Sequence, residues 1–249
     1  NAQQTDGPWR TIQRAADILL PGDTVYVREG IYYEGVWLEG INSGTENNPI
    51  TYAAYPGETV TLDGAVYPTE WQLYADNIWW TDASSIDFNW EGEARLVWQD
   101  DIWLEHSPDL GSMTVGTWWY DTATLRLYVW LRDNALPDNH QIAVSESRNA
   151  FHLNLASWIV IDGFNLVHYY RGISQMDSLA DQGRNMEGLT VRNCVIEHVG
   201  EAIGLAGATF GIWGFTHRSR IENNIIRDTQ SDAIWVGSCL LYTSDAADE

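Results

Sequence analysis

LTVRNCVIEHVGEAIGL, residues Leu189 to Leu205, alternates apolar and polar positions only briefly before it breaks at Gly200. Read alone, it is too interrupted for a helix and too rich in Asn, Glu and His for a buried strand. Beside two other segments it becomes one unit of a series. IDGFNLVHYYRGI begins at Ile161, VRNCVIEHVGEAI at Val191 and IENNIIRDTQSDAI at Ile221, so the anchors stand thirty residues apart both times. Leu166, Ile196 and Ile226 follow five positions later in each unit. Ile173, Ile203 and, after one inserted residue, Ile234 close the units.

Polar positions test this register more severely than apolar ones do. If the units stack as parallel, in-register strands, equivalent residues lie about 4.8 Å apart. One position after the anchor, the column reads Asp162, Arg192, Glu222. Six positions after it, Glu197 neighbours Arg227; ten positions after it, Arg171 neighbours Glu201. Each neighbouring pair is of opposite charge, and like charges stacked there would cost stability. The column Gly163, Asn193, Asn223 suits a turn that visits the left-handed backbone region and stacks side-chain amides. Each unit is therefore several short strands separated by turns, which bury their apolar faces against neighbouring units. A helical repeat fails because Gly, Asn and Asp interrupt every run longer than about eight residues.

Upstream, GPWRTIQRAADILLPGDTVYV divides into a helix and a strand. Ile12, Ala15, Ala16 and Leu19 form one helical face, with Pro8 as the starter and Pro21-Gly22 as the stop. TVYV, GVWLEG, PITYAAY and TVTLDG read as strands between Gly, Pro and Asn turns. A helix followed by short strands suits a cap over the open end of a solenoid.

The run from Thr11 to Gly64 resembles the cap and first coils of right-handed parallel β-helix proteins of the pectate-lyase-like superfamily. Within it, the run is nearest the alginate lyase and chondroitinase B type. The residues that carry the resemblance are the "A…PGDTV.V..G.Y.E" pattern, then "SGT..NPIT…YPGE.V.LDG". With Ser157 to Gly237, the resemblance covers a little over half of the chain. It implies a secreted lyase, glycosidase or epimerase acting on polysaccharides, although a fold alone does not assign a function. The alginate-lyase type uses a Lys and an Arg with calcium. This chain has no lysine and no Asn-Gly-Gly-Glu-type stretch, so none of those residues is carried over.

Between Ala65 and Ser147 the repeat disappears, and nine of the 14 tryptophans gather there. RLVWQDDIWLEH and GTWWYDTATLRLYVWL read as antiparallel hairpins, the second with strands Thr117–Tyr120 and Leu125–Leu131. This stretch resembles the small β insertion of glycosidase-type β-helix proteins. Tryptophan faces stack on sugar rings, which makes Trp118 and Trp119 candidate platforms. Cross-strand aromatic packing in a thin module is the competing reading.

The expected organisation is thus a cap with first coils over 1–66, a Trp-rich insertion over 67–147, and repeating coils over 148–238. Residues 239–249, CLLYTSDAADE, back-translate to a run resembling the end of a transposase-type sequencing adapter, and are set aside as a non-native tail. On this reading the natural chain is cut near Ser238.

The chain carries 35 acidic residues against 13 basic ones, all arginine, for a net charge of −22. Such a surface repels nucleic acid and anionic membranes. No apolar run reaches membrane-spanning length, and no signal peptide is visible. Two cysteines, Cys194 and Cys239, build neither a disulfide framework nor a Cys-based zinc site.

Candidate chemistry lies seven positions after the anchor, where His168, His198 and Asp228 share a column. A histidine beside a carboxylate can serve as a general base. Glu201 and Asp232 follow in nearby turns, and two carboxylates at the right separation serve glycoside hydrolysis. The catalytic candidates are therefore His198, Asp228, Glu201 and Asp232. Arg171 and His217 join Trp118 and Trp119 as candidate substrate-binding residues. No cofactor is identified; the acidic residues could bind Ca²⁺, but no EF-hand-like or nonapeptide spacing supports a site. The expected fold is an all-β right-handed parallel β-helix with a capping helix and a Trp-rich insertion. The expected protein is an extracellular or cell-surface glycosidase or polysaccharide lyase, or else a non-catalytic carbohydrate-binding or structural β-helix protein.

Overall fold

The computed structural model describes residues 7–86, 96–147, 149–176, 186–205 and 216–236. It begins with helix α1, Ile12–Ala16, which buries Ile12, Ala15 and Ala16. The start differs from the sequence expectation. Thr11, not Pro8, caps the helix, its hydroxyl accepting from the Arg14 N–H at 3.2 Å. The Glu34 carboxylate accepts from the N–H groups of Ile12 and Gln13 at 2.8 and 3.1 Å. A helix this short leaves most of its N–H groups without internal partners, so these acceptors fix its position.

Strands then follow in a cyclic order. The first coil is β1 (Thr24–Val27), β2 (Gly30–Tyr32) and β3 (Val36–Glu39). The second begins with β4 (Ile50–Ala54) and β5 (Val60–Asp63). The chain then leaves the stack, and among the described residues it forms nine strands there: β6 (Ala65–Val66), β7 (Gln72–Ala75), β8 (Ile78–Asp82), β9 (Val97–Gln99), β10 (Ile102–Trp103), β11 (Glu105–His106), β12 (Thr117–Asp121), β13 (Arg126–Trp130) and β14 (Ile142–Ser145). It returns at β15 (Asn149–Asn154), which completes the second coil. The third coil is β16 (Ile159–Asp162), β17 (Phe164–Val167) and β18 (Arg171–Met176). After β19 (Met186–Glu187) comes the fourth: β20 (Thr190–Arg192), β21 (Val195–Val199) and β22 (Glu201–Leu205). After β23 (Thr216–His217) comes the fifth: β24 (Arg220–Glu222), β25 (Ile225–Thr229) and β26 (Ile234–Val236).

Among the described residues, three five-stranded parallel sheets result. The first contains β1-β4-β16-β20-β24, the second β2-β5-β17-β21-β25, and the third β3-β15-β18-β22-β26. This is an all-β, solenoid-like architecture with a single α-helix and a few short 3-10 turns among the described residues.

The thirty-residue register holds across the sheets. Ile161 pairs with Val191 and Val191 with Ile221. Leu166 pairs with Ile196 and Ile196 with Ile226, while Ile173, Ile203 and Ile234 align in the third sheet. Leu166, Ile161, Val191 and Ile196 are fully buried. Each is worth roughly 1.5–3 kcal/mol of transfer free energy. The opposite-charge columns also form. Arg192 Nε lies 2.8 Å from Asp162 Oδ2, Arg171 Nε lies 3.4 Å from Glu201 Oε1, and Arg227 pairs with Glu197. Glu222 departs from the column: it lies 3.4 Å from Arg220 on its own strand.

Gly163, Asn193 and Asn223 all adopt positive φ, 82°, 55° and 57°. The expected amide stacking takes another form there. Asn193 donates from its amide to Asp162 Oδ1 at 2.7 Å. One residue on, Asn224 spans two coils, accepting from Cys194 N–H and donating to the Val191 carbonyl, both at 2.9 Å.

Residues 65–145 form a second body of structure on the stack. One sheet runs β10-β9-β14-β6, the other β11-β12-β13-β8-β7, and all pairs but β11–β12 are antiparallel. The β12–β13 hairpin pairs Asp121 with Arg126 around the expected turn. This module has its own core, which includes Leu127, Val129, Leu131 and Trp118. It meets the stack through Ala65, Leu96, Trp98 and Ala143, with Tyr67, Trp103 and Tyr170 packed against them. Residues 237–249, which contain the tail set aside above, lie outside the described residues.

Candidate functional site

The module departs from one corner of the stack, the turn between the second and third sheets. In the third, fourth and fifth coils the residues at this corner are His168, His198 and Asp228, with φ of 59°, 53° and 53°. The left-handed conformation costs an L-residue about 1–2 kcal/mol, and Asn, Asp and His adopt it more readily than most. The corner's residue types are thus in part a backbone requirement. The register of β21 and β25 sets His198 beside Asp228. The His168 and His198 rings stack with centroids 5.9 Å apart.

Gly64, the second coil's residue at this corner, lets the module leave. A Cβ there would fall 2.5 Å from Cδ1 of Tyr169, whose buried ring fills the corner. The Tyr169 hydroxyl donates to the Glu34 carbonyl at 2.5 Å. Just before Gly64, Asp63 accepts from the Ala65 N–H at 3.0 Å and from the Tyr67 hydroxyl at 2.5 Å. Burial, then the bond to Asp63, pushes the Tyr67 phenol well above its ordinary value, so it stays a donor.

The module returns to the corner through the β9–β10 hairpin. Its two-residue turn, Asp100-Asp101, has φ of 49° and 64°, as a type I′ turn requires. That turn delivers Asp101 to His168. His168 Nε2 lies 3.0 Å from Asp101 Oδ1, and its Nδ1 lies 3.1 Å from Asp63 Oδ1. The Asp63 and His168 side chains are 7% and 6% exposed, while that of Asp101 is 52% exposed. Trp98 meets the His168 ring edge-on at 4.9 Å and packs on Trp103 at 4.8 Å. Both nitrogens of His168 are therefore engaged by carboxylates.

His198, one coil along, is different. Its Nδ1 is buried and has no protein hydrogen-bond partner. The same holds for Trp98 Nε1, in the seam, and for Asn149 Oδ1, at the start of β15 where the chain rejoins the stack. An unpaired buried polar atom costs about 1–3 kcal/mol. Tyr52 hydroxyl and Trp79 Nε1 share the condition inside the stack and the module.

The other sequence candidates divide. Asp228 ends beside His198 and is exposed; Asp232 is exposed in the next turn of the fifth coil. Glu201 lies at the same corner but is paired with Arg171. His217 lies on β23, which pairs with β19 between the third and first sheets, so the structure does not bring it to the His198 corner. Trp118 requires a correction. It is 2% exposed in the module core, because adjacent residues in β12 face opposite sides and this one faces inward. It offers no ring face to a sugar. Trp119 faces the other side, half-buried against Tyr128 at 5.4 Å.

Asp63, Tyr67, Trp98 and Asp101 are absent from the sequence candidates. The Asp-Asp pair between two short strands is the one local signal that marks a turn of this type. Also outside them is a ring pair on the outer side of the third sheet. Trp37 and His152, aligned on β3 and β15, stack at 3.9 Å. Glu39 accepts from Trp37 and from the Asn154 amide, and His152 Nδ1 lies 2.8 Å from Ser174 Oγ. Among the described residues no group of three His, Cys, Asp or Glu is placed to hold a metal ion.

No family model matches the chain. A stretch of 63 residues is 38% identical to pectate lyase PEL9 of Emericella nidulans, covering 25% of this chain and 15% of that protein. A 64-residue stretch is likewise 38% identical to the uncharacterized protein YwoF of Bacillus subtilis, covering 26% and 13%. The matched stretches thus span under a sixth of these relatives. Among solved structures, XylC in complex with xylose superposes with a TM-score of 0.72 at 17% identity, over 93% of this chain and 48% of that one. A glycoside hydrolase gives 0.50 at 11% identity, over 83% and 66%. At these identities the likeness is one of fold.

Proposed function

We propose that this chain is a carbohydrate-active, secreted protein. Its stack is a right-handed parallel β-helix, nearest the alginate lyase and chondroitinase B type in its first coils. The tryptophan-rich module is an insertion in the second coil, and the protein acts on a polysaccharide as a glycosidase or lyase. The observation that carries the site assignment is the seam between module and stack. There a half-buried histidine with an unpaired buried nitrogen lies next to a carboxylate in the adjacent coil, and Trp98 in the seam carries a second unpaired buried nitrogen. A hydroxyl-rich guest supplies partners to such atoms. The local match to a pectate lyase and the resemblance in fold to XylC support the carbohydrate class.

In this reading His198 is the group that moves a proton, because His168 has neither nitrogen to spare. Asp228, its neighbour in the column, supplies a nearby negative charge that favours the charged form of the ring. Asp63 and Asp101 are not an acid–base pair across a scissile bond, since the His168 ring fills the space between them. They fix the wall of the site.

A screen on neutral and uronate-containing polysaccharides tests the reading, following reducing ends and unsaturated-uronate absorbance. Turnover is expected on at least one substrate, with loss of about 10²–10⁴-fold in His198→Ala. Absence of both signals across a broad panel removes the enzyme. The Trp37–His152 pair favours a second reading, a binding protein without turnover. Saturable polysaccharide binding with no product would select it.

A further inference from the structure

Two adjacent aspartates at one hairpin tip each hold a histidine, in different parts of the molecule. Asp101 reaches His168 in the stack. Asp100 holds His140 in the module, with His140 Nδ1 2.6 Å from Asp100 Oδ2. The other nitrogen, Nε2, lies 3.0 Å from Asp133 Oδ2 on the segment after β13. The imidazole is 14% exposed, and the two carboxylates are about half exposed. Gln99 on β9 completes the surroundings. Its amide nitrogen lies 3.4 Å from His140 Nδ1 and 3.3 Å from Asp133 Oδ1, and its carbonyl oxygen accepts from the Arg132 N–H at 2.9 Å. Asp100 also accepts from the Gln141 N–H at 2.8 Å. The charged groups facing His140 are thus Asp100 from the hairpin and Asp133 from the loop. The Arg132 guanidinium is directed instead at the Trp103 carbonyl.

A neutral imidazole has one N–H, and an imidazolium has two. Only the charged ring can donate to both carboxylates at once. We propose that His140 is a proton-operated latch: protonated, it clamps the β9–β10 tip between Asp100 and Asp133 and so holds Asp101 on His168; neutral, it drops one carboxylate and loosens the tip. The coupling runs through one peptide bond, from Asp100 to Asp101, within a turn whose two residues both have positive φ.

The direction of the pH effect follows from the surroundings. The hydrogen bond that the His140 ring donates to Asp100, then the field of Asp133, raise His140 above its ordinary value against its partial burial. Asp100 is held below its ordinary value: burial raises it, but the Gln141 N–H and His140 outweigh that, so it stays charged across the window. A raised pKa in the folded state stabilises below about 6.5, and that contribution is lost as pH rises through the raised value.

The test is the full chain followed from pH 5 to 9 by histidine ring NMR and by hydrogen exchange over residues 97–103, corrected for intrinsic exchange. The latch predicts that exchange there rises about tenfold through the His140 midpoint. It predicts that His140→Gln exchanges fast at every pH with no midpoint. Asp133→Asn should lower the ring midpoint and the exchange midpoint together. Flat exchange through the wild-type His140 midpoint overturns the proposal, and so does a midpoint that persists in His140→Gln. If His140→Gln does not fold, Asp133→Asn decides alone: a ring midpoint that moves without the exchange midpoint overturns it.

Discussion

The corners of the third and fourth coils place a histidine in the same position, with the same left-handed backbone and nearly the same φ. Their chemistry is opposite. His168 is sealed between Asp63 and Asp101 under Trp98, whereas His198 has a buried nitrogen with no protein partner. The repeat sets the backbone at both corners. The difference arises because the module touches one coil and not the next in the same way. A repeat therefore predicts where a side chain sits, and only the parts that break the repeat decide what it can do.

The largest expected effect breaks the third-coil corner. His168→Ala removes the ring that joins Asp63 to Asp101 and leaves the buried Asp63 carboxylate only the Ala65 N–H and the Tyr67 hydroxyl, at a cost of about 3 kcal/mol in urea unfolding. A loss under about 1 kcal/mol would show that the network is not what ties module to stack.

Asp101→Asn sharpens the comparison from the exposed side. With its carboxylate half in water, it should cost only about 0.5–1 kcal/mol, measured the same way. It should also leave the core signals of stack and module unchanged in near-UV circular dichroism. His198→Ala should cost less still, at most about 0.5 kcal/mol, since it deletes an unpaired nitrogen as well as packing. Equal costs at His168 and His198 would erase the distinction between the corners. Smallest is Asp228→Gly, which keeps the corner but relieves the left-handed strain of an L-residue. A gain of a few tenths of a kcal/mol in thermal unfolding is expected, and a clear loss would place Asp228 in a structural contact.

Much of the stack was legible because its contacts are periodic. The thirty-residue spacing of Ile161, Val191 and Ile221, and the alternating charges beside them, fix the register from sequence alone. The strand β2 escaped notice because it has three residues and only partial burial, too little for a pattern. The helix start was misplaced because its cap depends partly on Glu34, 22 positions away from Ile12. The site was legible only where it follows the repeat, at His198 and Asp228. Asp63 and Asp101 meet His168 across 105 and 67 positions, between segments with no common period. Trp118 and Trp119 show a related limit. Alternation says that they face opposite sides, but which one faces inward depends on the partner sheet.

The most direct test of the central claim is turnover by His198→Asn on whichever polysaccharide the screen finds the wild-type chain to cleave, with thermal unfolding measured on the same sample. Asparagine keeps the left-handed corner and a polar side chain but cannot take a proton. Activity at least about 100-fold lower with unchanged thermal stability is the predicted result. Wild-type turnover by a folded His198→Asn protein would contradict the account, leaving both corner histidines as parts of the scaffold.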